Sequence, residues 1–407
     1  MQLSLKSALG RQRRLNQVGE TINSIATPAA AYSLRSLTGG DPLSVRVRRG
    51  TNDVEKDFTV SEINSGALLA YVNTASTVGT AANCTGGVPY GSFTANGNTG
   101  FSADNTGGST AGAGFPYVFK DNDVIVVRYT VTNFTSDSGL SPILRGTTGL
   151  SSLTGVTNSG TAFTANGTYT DTLTATSNGT HLLFGDGNTG SYTISNFEIV
   201  SHSGSGFVET WYDQSGNGNH ATQTDTGKQP KIVSSGSLLT QGGKACINFD
   251  GSNDFLNKAT YTQGALSQPN TAFAVAKLDA LTVTNRKIFD GDVSTARNML
   301  FLQNTGGGRF GYFAGNVRNT GEDGDADQHL FTTFYSAGSS ILRIDGTQKD
   351  TGNAGSNAMN GIVIGANHDT ANNFWDGDIQ EVIIFNSSQT SNFTPLEGNI
   401  NSYYSIF

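Results

Sequence analysis

FWDGDIQEVIIFN, residues 374–386, is the stretch whose reading decides the fold. Ile379, Val382, Ile383, Ile384 and Phe385 follow one another with little interruption. β-Branched and aromatic side chains at this density favour an extended chain, and the run is too short for a buried helix. It reads as a buried strand, across which Ile379, Val382 and Ile384 face one way or the other. Asp376 and Gly377 read as the turn ahead of it, because Gly takes left-handed angles cheaply and Asp bonds to nearby backbone. A short helix near Pro395–Tyr404 closes the chain.

Working back from there, strand-sized segments recur with turn residues between them. ACINFDGSNDFL (245–256), TAFAVAKL (271–278), NMLFL (298–302), FGYFAG (310–315) and HLFTTFYS (329–336) are followed by ILRIDGTQKD (341–350) and GIVIGAN (361–367). Asp345-Gly346 inside the penultimate segment predicts a two-residue hairpin turn. The composition agrees. Gly is 52 of 407 residues and charged residues are only 14%, which suits many short strands joined by tight turns. The fold class expected is therefore all-β: two β-sandwich (jelly-roll) domains, one inserted in the other, with a short N-terminal arm.

Three earlier segments carry more specific information: AAAYSLRSL from Ala29 to Leu37, VRVRRGTNDVEKDF from Val45 to Phe58, and GFVETWYDQSGNGNHATQ at 206–223. Val45–Arg49 alternates apolar and basic, the period of a strand with one wet face. Leu68, Leu69 and Val72 fit a short helix. In the third segment a strand through Phe207, Val208 and Trp211 runs into a turn made of Asp213, Ser215, Gly216, Asn217 and Gly218. Together these segments resemble the catalytic domain of the α-L-arabinofuranosidase B family and its relatives in phage and environmental proteins. The later strand order resembles the concanavalin/laminin-G-like superfamily. The resemblance implies that the third segment should follow the short helix directly, whereas about 130 residues separate them here. The expected organisation is an arm at 1–31, a split jelly roll at 32–75 and 206–407, and an inserted carbohydrate-binding-module-like sandwich at 76–205. Within the insert, Val124–Val131, Tyr169–Ala175, His181–Phe184 and Tyr192–Val200 read as strands. FTANG occurs at both Phe93–Gly97 and Phe163–Gly167 and reads as recurring turn chemistry, not as a repeat unit.

The family resemblance raises the question of catalysis. Retaining glycosidases need two carboxyl groups about 5 Å apart. The family's nucleophile is a Glu on a strand that corresponds here to Asn298–Gln303, where Leu300 stands at the Glu position. The family's vicinal Cys-Cys pair corresponds to Arg286-Lys287, and this chain has no Cys-Cys pair anywhere. No catalytic residue is expected. Asp213 and His220 have no Ser or Cys nucleophile motif beside them, so His220 reads as structural. No dinucleotide fingerprint, which needs its glycines between a strand and a helix, and no P-loop or H-x-x-x-H motif is present. The cysteines, Cys84 and Cys246, read as small buried hydrophobes with a bridge left open. No cofactor is expected. Calcium is the one candidate ion, at the acidic run Glu322–Asp327 through Asp323, Asp325 and Asp327, although a solvated loop reads more simply and the EF-hand spacing fails.

Charge is uneven. Residues 1–49 hold eight Lys/Arg and two acids, so the remainder carries −14 of a chain total of −8. Arg11, Arg13 and Arg14 are the expected anchor to other proteins, nucleic acid ranking lower for want of a motif. The N-terminus shows no apolar secretion signal and the chain no apolar run long enough to span a membrane. These features suggest a phage virion structural protein, a tail fibre, appendage or capsid-surface component, located on the particle and forming a homo-oligomer. Host glycans are the expected ligand, with Trp375, Tyr312 and Phe313, and beside them Trp211, as candidate stacking platforms. The competing readings are a secreted glycoside hydrolase and a cell-surface adhesin.

Overall fold

The computed structural model describes residues 20–75, 77–83, 92–104, 112–136, 143–149, 156–185, 190–281, 284–303, 308–321 and 323–407. The chain is all-β, and its strands form two β-sandwiches, one carried within the sequence of the other.

The deciding stretch forms a strand from Asp376 to Phe385 in the larger sandwich. On one side it pairs along its length with Asn270–Leu278; on the other it pairs with Ala30–Ser33 and Ile247–Asp250. The register slips between Ile379 and Glu381, leaving Gln380 as an extra residue. Such a bulge breaks the period of two. Ile379 therefore faces the same core as Val382 and Ile384, while Ile383 and Phe385 face the opposite side. The bulged Gln380 turns its amide to three carbonyls, those of Gln241, Lys244 and Ala245, at 3.1 Å each. The expected turn at Asp376-Gly377 is instead the start of the strand. Gly377 is needed for closeness: with φ +144° it lies so near the neighbouring strand that a Cβ would stand 2.2 Å from the Lys277 carbonyl.

Outward from Asn270–Leu278 the sheet continues through His329–Tyr335, Ser340–Ile344 and Thr347–Gly352. The hairpin expected at Asp345-Gly346 is there, both residues having positive φ. The facing sheet runs from Glu55–Thr59 through Leu43–Arg49, Gly206–Trp211, Ala221–Thr222, Leu256–Lys258, Ile362–Ile364, Arg286–Asp290 and Met299–Gln303 to Arg309–Phe313 and Val317–Asn319. The main core lies between these sheets. A second apolar layer sits under the C-terminal helix, Phe393–Tyr404, whose Phe393, Leu396, Ile400 and Tyr404 cover Phe273, Val275 and Ile383. Burying such a side chain contributes up to roughly 1.5–3 kcal/mol.

The WYDQSGNG turn is a clasp. Asp213, buried, accepts hydrogen bonds at its carboxylate from the Ala31, Ser215 and Asn219 backbone N–H groups and from the Ser215 hydroxyl, all within 2.9 Å. Gln214 accepts from Leu37 N–H and donates to the Ser33 and Arg35 carbonyls. Asn217 and Asn219 donate to the Ala29 carbonyl. His220 accepts from the Asp213 N–H at 3.1 Å. These bonds fix the YSLR segment as a strand against the sheet. Arg35 of that segment then meets Glu381 of the deciding stretch in a buried bidentate pair, 2.7 and 3.0 Å.

The expected arm ends earlier than residue 31. Its last part belongs to the body: Ile22–Ile25 form one helical turn, capped by Thr21, and Ile22 is buried against the C-terminal helix. Apolar Ile22, Ala30 and Ala31 draw this segment in. Arg11, Arg13 and Arg14, with Leu15 and Val18, lie outside the described residues, as does Cys84. Cys246 is a free, buried thiol. No described helix is long and apolar enough to cross a membrane.

The smaller sandwich has its own core. One sheet orders its strands as Gly167–Thr174, Val124–Ser136, Gly190–Ser203, Phe101–Asp104 and Ser92–Ala95; the other as Ala82–Asn83, Gly112–Phe119, Gly179–Gly185 and Leu144–Thr147. The two FTANG segments differ in structure. Phe93 lies on a strand with its ring half-buried, whereas Phe163 lies in a loop with its ring wholly buried.

Candidate functional site

The chain leaves the larger sandwich after the helix Ala67–Val72 and returns at Gly204. Asn73 holds the two crossings together: its side chain accepts from the Gly204 N–H at 3.3 Å and donates to the Gly236 carbonyl at 3.0 Å. Gly50 donates to the Ser205 carbonyl at 2.8 Å, and a Cβ on Gly50 would crowd that oxygen. Just inside the smaller sandwich, buried His202 bridges Asp123 (2.9 Å) and the Tyr117 hydroxyl (2.7 Å). The junction is thus a fixed corner, not a loose linker.

Two adjoining open cavities, of about 660 and 330 Å³, flank this corner and share Asp53 and Lys120 in their walls. Pockets of this size suit small ligands or short stretches of a polymer. The larger sandwich supplies Arg48, Arg49, Asp53 and Lys231; the smaller supplies Lys120, Asp121, Asn178 and Thr180. Arg48 is immobilised. Its guanidinium donates to Asp53 (2.5 Å), Gln229 (2.7 Å) and the Thr226 carbonyl (3.1 Å), and lies 4.5 Å over the Phe207 ring. Arg49 donates to Asn52 and lies 5.0 Å over Tyr71. The Lys120 ammonium stands 3.9 Å from Asp53. The cleft is open and cationic.

The aromatic side chains expected as platforms are elsewhere. Trp375 and Tyr312 are fully buried in the main core, so neither has a face for a sugar, and Trp211 is buried with them. Large rings on central strands reach the core whenever their strand residues point inward. Tyr312 spends its hydroxyl on Asp350 at 3.0 Å. Phe313 is partly exposed, with the Arg297 guanidinium 5.6 Å over its ring. The expected calcium ligands also diverge. Asp325 bonds His329 at 2.8 Å and Asp323 faces Arg309 at 3.6 Å, and among the described residues no group of three acids, histidines or cysteines could hold a metal. Glu322 lies outside the described residues.

At the positions where the family resemblance implies chemistry, the side chains serve the fold. Leu300 is in the main core. Arg286 donates to the Gly251 and Phe374 carbonyls and to Asp376. Lys287 lies 4.2 Å over the Phe301 ring, and burial pushes its ammonium down to about 8. Nearby Asp290, fully buried, is gripped by Arg297 at 3.0 and 2.6 Å.

No protein-family model matches the chain, and no curated protein matches it. Among solved structures, a Trypanosoma rangeli sialidase complexed with the inhibitor DANA aligns with 46% of the chain at 13% identity and TM-score 0.34. This chain spans only 30% of the sialidase's own length. A Limulus polyphemus SAP-like pentraxin aligns with 38% of the chain and 81% of its own, at 13% identity and TM-score 0.29. A Bacteroides ovatus protein provisionally described as carbohydrate-binding aligns with 71% and 80% respectively, at 13% identity and TM-score 0.31. At these scores the likenesses carry no argument about activity.

Proposed function

We propose that the chain is a non-enzymatic phage virion structural protein, in a tail fibre, tail appendage or capsid surface, that presents its sandwiches to host-surface glycans. The observation that carries the glycan part is the cleft between the sandwiches: open to solvent, rigidly built, and lined by amides, hydroxyls and cations suited to reading sugar hydroxyls. The virion part is supported by the resemblance of the YSLR, VRVRR and WYDQSGNG segments to phage relatives of the arabinofuranosidase family. The non-enzymatic part is supported by Leu300 and Arg286-Lys287 at the positions of the family's nucleophile and cysteine pair.

Proteomics of purified particles should recover the chain, and the labelled full-length protein should bind a defined subset of a glycan array. It should release no arabinose from p-nitrophenyl arabinofuranoside. Release that is abolished by replacing a single carboxylate, in a variant whose melting curve is unchanged, would establish a hydrolase instead. Absence of the chain from particles combined with glycan binding would favour a cell-surface adhesin.

A further inference from the structure

We propose that the cleft between the sandwiches receives an acidic polysaccharide, its carboxylates held by Lys120, Lys231 and Arg49. The inference rests on the glycan-binding reading above and narrows it to a ligand class. The charge pattern is the first reason. On a chain of net charge −8, Arg48, Arg49, Lys120 and Lys231 line two adjoining cavities against only Asp53 and Asp121. A cationic cleft in an acidic body concentrates anions there and repels them elsewhere.

Asp53 is the second reason, because its own pairing decides which cations remain for a ligand. It sits in the left-handed turn after Arg49, at φ +58°, and projects between Arg48 and Lys120. Arg48 is taken up by Asp53, Gln229 and the Thr226 carbonyl, whereas Lys120, at 3.9 Å from Asp53, is beyond good hydrogen-bond range and has donors to spare. Lys231 lines the smaller cavity, its ammonium 5.8 Å from the centre of the Phe207 ring.

The uncharged walls fit a sugar. Asn52, Asn122 and Asn178 offer donor–acceptor amides, and Thr51 lines the larger cavity with a buried hydroxyl that makes no hydrogen bond among the described residues. Val118, 42% exposed, and Pro116 give a small apolar strip for the C–H face of a ring. A nucleic acid fits less well. Single strands need aromatic platforms for their bases, and here the Phe207 face is covered by Arg48 while Tyr117 is buried.

The test titrates the full-length protein with hyaluronate, polygalacturonate and polysialate, each beside its carboxyl-reduced form, and with oligothymidylate. At least one acidic polymer should bind, and its carboxyl-reduced form should bind about tenfold more weakly, or about 1.4 kcal/mol. Lys120→Gln/Lys231→Gln should lose a similar factor and flatten the salt dependence, with an unchanged melting curve. Should that double variant unfold, Val118→Glu, which adds an anion to the exposed wall, should weaken the same polymer. Arg11→Gln/Arg13→Gln/Arg14→Gln should bind as the wild type does. Equal binding of a carboxyl-reduced form overturns the acidic class and leaves the glycan reading standing. Oligothymidylate binding as tightly as the best polysaccharide, or loss confined to the N-terminal triple variant, overturns the assignment to the cleft. If neither this titration nor the array shows any glycan bound, both readings fall.

Discussion

Arg35 and Glu381 are 346 positions apart and meet in the interior, with the Ser33 hydroxyl and Asn399 completing their hydrogen bonds. Two charges taken out of water are tolerable only when their partners are fixed, and removing one strands the other. Glu381→Ala should therefore destabilise the protein by about 3–5 kcal/mol, read as a lowered urea midpoint with little change in slope. Both residues belong to segments that stood out in the sequence, YSLR and IQEVIIF, but their pairing did not, because nothing local in either segment specifies a partner so distant. Trp375 and Tyr312 show the opposite failure. Their residue type suits a sugar platform and a core equally well, and only the direction of the side chain on its strand decides between them.

Among the elements, long apolar strands were legible and short ones were not. Asn270–Leu278 and Asp376–Phe385 announce themselves by density of apolar residues, whereas Ala221–Thr222 and Val317–Asn319 are defined by the neighbours they pair with. The bulge at Gln380 was hidden because one extra residue leaves composition unchanged. The helix Val60–Asn64 did have a signal, the Thr59…Glu62 capping box, which the apolar pattern overshadowed. One element pair should respond to pH. His329, at the start of its strand, is held between Asp345 of the hairpin turn (2.7 Å) and Asp325 of the preceding loop (2.8 Å), with the Phe310 and Phe331 rings beside it. Burial opposes its charge, but the two carboxylates outweigh burial and raise its pKa. A raised native value stabilises the fold fully below the ordinary histidine pKa of about 6.5, and that contribution is lost as pH rises through the native value. The melting temperature should fall over that rise, and His329→Gln should flatten the profile.

At the scale of the whole molecule, the split of one sandwich by another was legible because familiar segments stood too far apart. The cleft between them was not, since its walls come from Arg48–Asp53, Lys120, Asn178 and Lys231, none of which forms a motif. The separate cores make a direct prediction. A chain in which residues 75–203 are replaced by a Gly-Ser pair should still fold, because Asn73 already touches Gly204. Cooperative melting with the larger sandwich's circular dichroism would verify this; a molten, non-cooperative transition would show that the two cores depend on each other.

That same contact between Asn73 and Gly204 turns the corner into a socket. Any module whose own ends lie a few ångströms apart can be plugged in there without asking the host sandwich to move. The cost of closing a loop grows only slowly with its length, so a large passenger is nearly as easy to carry as a small one. Exchange of the inserted module would replace the cleft walls that hold Lys120, Asp121 and Asn178 and leave Arg48–Asp53 and Lys231 in place.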